Sequence, residues 1–326
     1  MERRHCKRSG EVIVKARIRI ARLMIVLLSV VIAPCPLLAE ARVVPNVVYG
    51  MHSGLALLLD VHYPTNPNGY GILIIPGSGW HEPISLDSIP LKQRVGRPRF
   101  GADALLKSGY TLFAINHRSA PVFRYPAAVR DAQRAIRYIR HNAARYEIRP
   151  DRIGAVGGSS GGYLVSMLGV LDDDANSEDP SPINRESSKV QAVVAIYPIT
   201  DFVQWARGTN GEKGYMTSFL GTYLNDRMYR ANPESGEVSL YRQASPTSHV
   251  TADDPPFLLV HGDADLIVPF SQSEIFQAAL DRSDVTVELI RVPGGGHSSR
   301  LRIPDAPDYI GAMVDLFDRH LRNTRK

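Results

Sequence analysis

Short apolar runs and longer amphipathic ones alternate along most of this chain. Val47–Gly50 and Leu55–Tyr63 predict two opening strands, and the Pro64-Thr65-Asn66-Pro67-Asn68-Gly69 stretch after them predicts a turn. Gly71–Ile75 is continuously apolar, as a strand buried on both faces should be. Gly101–Lys107 predicts a helix stopped by Gly109, followed by a strand over Tyr110–Asn116. Pro126–Ala144 gives the clearest helix: the proline suits a first turn, and Ala128, Ala132, Ala135, Ile136 and Ile139 follow close to helical spacing. Arg152–Val156 predicts a strand that runs through a glycine-rich turn into an apolar helix ending near Val170. Val190–Tyr197, Phe257–His261 and Val285–Val292 predict further strands, and Phe270–Leu280 and Asp308–Leu321 further helices. Strands alternating with helices predict an α/β domain with a mostly parallel sheet covered on both faces.

Two stretches break the alternation. Asp172–Lys189 is polar and predicts a loop. Phe202–Val250 is weakly periodic and rich in Tyr, Gly and Asn. An irregular stretch of that length inside a compact domain usually serves function, and it is read as a cap inserted over the site. Its Trp205, Tyr215, Phe219 and Tyr223 are candidates for a pocket lining or for the cap's own core.

The first 41 residues follow a different pattern. A basic stretch to Arg22 precedes an apolar run over Leu23–Ala33, then Pro34-Cys35-Pro36 and the small-residue pattern Ala39-Glu40-Ala41. This is the layout of a secretory signal peptide cleaved after Ala41, with retention as an anchor as the alternative. The apolar run is short for a bilayer span. Export to the periplasm or beyond follows, with no stable membrane insertion once the segment is removed.

Charge supports the division at residue 41. The formal charge of +5 suggests a nucleic-acid partner, but eight of the 38 basic and three of the 33 acidic residues lie in the first 41. The remaining 285 residues balance at 30 of each sign, which leaves the domain without the excess that phosphate binding requires. Both cysteines, Cys6 and Cys35, also fall in that segment. The rest of the chain therefore has no disulfide, no thiolate metal site and no cysteine nucleophile.

The candidate chemistry begins at Val156-Gly157-Gly158-Ser159-Ser160-Gly161-Gly162, between a strand and a helix, where a nucleophile elbow belongs. The G-x-S-x-G pattern fits twice, with Ser159 or Ser160 as nucleophile. The strand end at Val156 favours Ser159. A serine hydroxyl needs a base, and among ten histidines His297 alone follows the predicted last strand on a glycine-rich loop, Gly294-Gly295-Gly296. The residue that orients it is sought after the preceding strand, in His261-Gly262-Asp263-Ala264-Asp265. There Asp265 is preferred, Asp263 is a local alternative and Asp201 a remoter one. Ser, Asp and His then follow in the chain order of α/β-hydrolases. The loop Pro76-Gly77-Ser78-Gly79-Trp80 offers accessible amides for an oxyanion hole, with Gly77 and Ser78 expected to donate together with the Ser160 N–H, and Gly79 as a further candidate.

At this point the chain resembles carboxylesterases of the hormone-sensitive-lipase-like branch of the α/β-hydrolase fold, and within it the bacterial feruloyl and carbohydrate-esterase-like (BD-FAE-type) group. The resemblance covers nearly all of residues 47–322. It runs through Leu59-Asp60-Val61-His62-Tyr63-Pro64, Asn116-His117-Arg118-Ser119-Ala120-Pro121 and Tyr125-Pro126-Ala127-Ala128-Val129-Arg130-Asp131-Ala132. The group's G-x-S-A-G-G elbow puts its serine on Ser159 and its alanine on Ser160. Its HGxxD-xx-VP segment falls on His261–Pro269 and implies Asp265, and its G-x-G-H loop implies His297. Two departures stand out. Pro76-Gly77-Ser78-Gly79-Trp80 replaces H-G-G-G-W, and Tyr163 stands where histidine or asparagine is common. The resemblance implies a serine ester hydrolase for small acyl esters, acetyl or feruloyl groups on polysaccharides among them, with no metal or cofactor. Its partner would be a small-molecule or carbohydrate ester. A serine peptidase of the same fold and a non-catalytic binding protein are the competing readings. Nothing in the chain bears on oligomeric state.

Overall fold

In a computed structural model, residues 42–322 are described, apart from 83–84, 86–87, 97–99, 174 and 209–212. The expected signal segment lies outside the described residues. Eight strands form one sheet in the order β1-β2-β4-β3-β5-β6-β7-β8. These are β1 (Arg42–His52), β2 (Leu55–Tyr63), β3 (Gly71–Ile75), β4 (Thr111–Ile115), β5 (Ile153–Gly158), β6 (Ala192–Ile196), β7 (Phe257–Gly262) and β8 (Val287–Val292). β1 and β2 pair antiparallel, β2 joins β4 antiparallel, and every pairing from β4 to β8 is parallel.

The five strands from β3 to β7 are buried at every position. That is why they read as continuous apolar runs: parallel strands with helices on both faces have no polar side. The edge strands differ. β8 mixes Glu288 and Arg291 with apolar residues, and β1 is mostly exposed. β1 runs well beyond the predicted Val47–Gly50 because its pairing with β2 shifts register between Val44 and Val47 and between Val48 and Gly50. Each shift breaks the period-2 alternation by which a strand is recognised.

Helices α1 (Ala102–Lys107) and α9 (Tyr309–Phe317) pack on one face of the sheet. α2 (Ala127–His141), α3 (Ser160–Val170) and α8 (Ser271–Arg282) pack on the other. All five apolar positions that predicted α2 are buried. Asp131 on this helix takes the Arg118 guanidinium at 2.7 Å and the Arg118 N–H at 2.7 Å, which ties the loop after β4 to the helix.

The stretch from Phe202 to Val250 is helical where the sequence suggested irregular structure. It holds α4 (Phe202–Gly208), α5 (Lys213–Leu220), α6 (Asp226–Ala231) and α7 (Gly236–Ala244). None of these is longer than nine residues, too short to repeat an apolar period clearly. The starts of α6 and α7 are set by side-chain caps, Asn225 accepting the Met228 N–H and Ser235 the Val238 N–H. Phe202, Trp205, Phe219 and Tyr241 are buried. Phe219 stacks on Trp80 at 4.3 Å between ring centres, so these helices join the loop after β3 through an aromatic contact. No helix among the described residues is long and apolar enough to cross a membrane.

Candidate active site

The carboxyl ends of the parallel strands bring the candidate residues together. β5 ends at Gly158, and Ser159 makes the turn into α3 with φ 58° and ψ −125°. That backbone region favours glycine, and a side-chain-bearing residue held there costs about 1–3 kcal/mol. The turn is possible because its neighbours lack side chains. A Cβ on Gly161 would strike the Ile75 carbonyl oxygen, and one on Gly157 would strike the Gly161 carbonyl oxygen. The backbone therefore packs tightly below the serine and leaves its hydroxyl at the rim of the sheet.

His297 follows β8 and reaches back over this turn. Its Nε2 lies 3.0 Å from Ser159 Oγ, and its Nδ1 lies 2.6 Å from Asp265 Oδ2. A carboxylate only accepts, so the Nδ1–H donates to Asp265, leaving Nε2 free to accept the Ser159 O–H. The Tyr197 ring flanks the imidazole at 4.5 Å.

Asp265 is buried at 8% exposure. Burial by itself would raise its pKa. The nearby His261 ring, the hydrogen bond from His297 and the Val268 amide outweigh that and hold the carboxyl well below the usual carboxylate range. Its Oδ1 accepts the Ile267 N–H at 2.8 Å and the Val268 N–H at 3.0 Å, which leaves Oδ2 to face the histidine. His261 is fully buried under this loop. Its Nε2–H donates to the Val268 carbonyl at 3.0 Å and its Nδ1 lies 2.7 Å from Ser273 Oγ, with Asp265 Oδ2 farther off from Nε2 at 3.5 Å.

The alternatives are engaged elsewhere. Asp263 takes the Gly294 N–H at 2.6 Å and the Arg291 guanidinium at 2.7 Å, bracing the loop that carries His297. Asp201 accepts the Gln204 N–H at 2.9 Å at the start of α4. Ser160 is fully buried, and its hydroxyl meets the Ser78 and Gly79 amides, while Ser159 Oγ is the one within reach of His297.

Two amides of the loop after β3 face Ser160 at the start of α3. Those that converge are Ser78 and Gly79, at 2.9 and 3.0 Å from a single point, the hydroxyl oxygen of Ser160. The Gly77 amide is not part of this pair. Gly77 is instead the place of closest approach: a Cβ there would strike the Gly158 carbonyl oxygen and lie 2.8 Å from Ser159 Cβ. Ser160 opens α3, so its own N–H belongs to the first turn that a helix leaves without an intrahelical partner, at the end where negative charge is favoured.

Above Ser159 lies a pocket of about 230 Å³, lined by Ile199, Trp205, Tyr215, Ile267 and His297 among others. Of the four cap aromatics singled out in the sequence, Trp205 and Tyr215 line it. Phe219 is core, and Tyr223 is half-buried away from the pocket. His261 and Tyr197 were not singled out as site residues. His261 was visible as the first residue of the HGxxD segment, whereas nothing in the local pattern marked Tyr197. The described residues contain no cluster of three or more His, Cys, Asp or Glu placed to hold a metal.

A serine on a strand–helix elbow, a histidine on the loop after the last strand and an aspartate after the one before it define a site of the α/β-hydrolase class. The chain belongs to the BD-FAE family, whose model matches residues 59–280. It is 30% identical over 260 residues to Esterase LipC of Mycobacterium tuberculosis, covering 77% of this chain and 59% of that protein. It is 31% identical over 221 residues to Esterase LipQ of the same organism, covering 64% and 49%. The chain thus spans about half the length of these curated relatives. Among solved structures, a truncated form of a carbohydrate esterase from gut microbiota aligns with a TM-score of 0.65 at 28% identity, covering 86% of this chain and 96% of that one.

Proposed function

We propose that this chain is an exported serine carboxylic-ester hydrolase that acts on small acyl esters, acetyl or feruloyl groups on polysaccharides among them. The observation that carries the reading is the continuous contact from Ser159 Oγ through His297 to Asp265, at 3.0 and 2.6 Å. In this reading Ser159 attacks the ester carbonyl while His297 Nε2 takes its proton. Asp265 holds the ring in the required tautomer and stabilises the imidazolium. The negative charge that develops on the carbonyl oxygen is met by the amides of Ser78, Gly79 and Ser160. His297 then protonates the leaving alcohol, and water, deprotonated by the same histidine, releases the acyl group.

The substrate reading rests on two supports. The pocket of about 230 Å³ suits a short or flat acyl group against aromatic walls, and one structural relative is a carbohydrate esterase. The reading is tested by hydrolysis of p-nitrophenyl esters from acetate to laurate and of a ferulate ester. Acetate and ferulate should be turned over and laurate poorly. Ser159→Ala should lower kcat by at least about 10⁴-fold. A parent protein that neither hydrolyses any of these esters nor reacts with a fluorophosphonate would overturn the reading.

A further inference from the structure

Ser160 brings to the site an oxygen that the proposed chemistry leaves unused. Its hydroxyl lies 2.9 Å from the Ser78 nitrogen and 3.0 Å from the Gly79 nitrogen, with both N–H groups donating to it. Donors 2.7–3.1 Å from one point describe the seat of an oxyanion. The side chain in that seat belongs to the residue directly after the nucleophile, whose own backbone N–H is at the start of a helix. Ser160 is fully buried, so the acceptor of these two amides is part of the protein and not solvent.

We propose that the Ser160 hydroxyl is an internal stand-in for the substrate oxyanion, filling the cradle of the Ser78 and Gly79 amides in the empty enzyme and turning out of it as the tetrahedral intermediate forms. This rests on the ester-hydrolase reading above. The physical logic has two parts. Amides aimed into an empty cradle would be unsatisfied or free to turn away, and a buried N–H without an acceptor is costly. A neutral hydroxyl satisfies them and keeps them aimed. It also yields to the substrate, because a hydrogen bond to a charged oxygen is roughly twice as strong as one to a neutral oxygen. The displacement is a rotation about the Ser160 Cα–Cβ bond. The stand-in is a competitor, however, and the bonds it makes are lost when the oxyanion arrives. Its effect therefore falls on the transition state more than on the bound ester, and on kcat more than on KM.

The test compares the parent with Ser160→Ala, which removes the oxygen, and Ser160→Cys, which keeps a side-chain group there but accepts weakly. Three quantities are measured: the inhibition constant of phenylboronic acid, which forms a tetrahedral adduct on the nucleophile; kcat and KM for p-nitrophenyl acetate; and Tm. Both variants are expected to bind the boronate about tenfold tighter and to raise kcat, with KM within about twofold of the parent. Equal or weaker boronate binding by folded variants, with an active parent, would overturn the stand-in and leave the ester-hydrolase reading in place. The hydroxyl would then be a brace that holds the loop from behind. Loss of the fold in both variants would point to the brace in the same way. A parent that fails to react with a fluorophosphonate would take down both readings together.

Discussion

Asp265 keeps a negative charge where burial works against it. Two histidines and two backbone amides offset that burial, and the carboxyl is held well below the usual range. Stability from a carboxylate with a lowered pKa is present above the unfolded-state value near 3.9 and is lost as pH falls through the folded value. Asp265→Asn removes this contribution. The Tm gap between parent and Asp265→Asn is therefore expected to be widest near neutrality and to narrow below about pH 4. A gap that is the same at pH 7 and pH 3 would show that the carboxylate is not held ionised. The same variant should lower kcat by about 10⁴-fold, because asparagine can pair with the wrong imidazole tautomer. At this scale the sequence preferred Asp265, with Asp263, two residues away in the same turn, as the local alternative. The contact of Asp265 with His297, and of Asp263 with Arg291 and Gly294, gives the two their different places.

The elbow between β5 and α3 shows an element setting the geometry of one residue. Its glycines were legible because only a residue without Cβ can pass the Ile75 and Gly161 carbonyls. The strain on Ser159 was legible only as a consequence of the motif, and its size follows from φ 58° and ψ −125°. Ser159→Gly relieves that strain, whereas Ser159→Ala retains it. Both variants lack the nucleophile, yet Ser159→Gly is expected to be more stable than Ser159→Ala by about 1 kcal/mol, the reverse of the usual order for these residues. Urea unfolding of the two variants measures this, and a more stable alanine variant would rule out strain at the elbow. The cap helices show the opposite case. They are six to nine residues long, and helices that short draw their stability from tertiary packing more than from their own sequence. Their apolar residues meet Trp80 and Tyr163, which lie far away along the chain, so no local window displays the pattern.

At the scale of the whole molecule, the first 41 residues carry the excess positive charge and both cysteines, and residues 42–326 are balanced in charge. This division supports the proposal of export. A chain produced with its native start in a bacterium with a secretion system is expected to be recovered outside the cytoplasm with Arg42 as its first residue, read by N-terminal sequencing. Recovery of the intact chain on the membrane would favour retention as an anchor. The sequence by itself determined the parallel sheet from β3 to β7, the helices that cover it, and the order of serine, aspartate and histidine along the chain. It could do so because burial on both faces, helical periodicity and the close packing of an elbow are local demands that each segment meets alone. The tertiary structure decided what depends on segments distant in sequence. These are the support from His261 and Tyr197, the division of the cap aromatics between pocket and core, and the convergence of the Ser78 and Gly79 amides on Ser160. Those amides meet the hydroxyl of a serine about 80 residues away in the chain, and a contact between residues so far apart leaves no periodicity in the sequence from which it could be read.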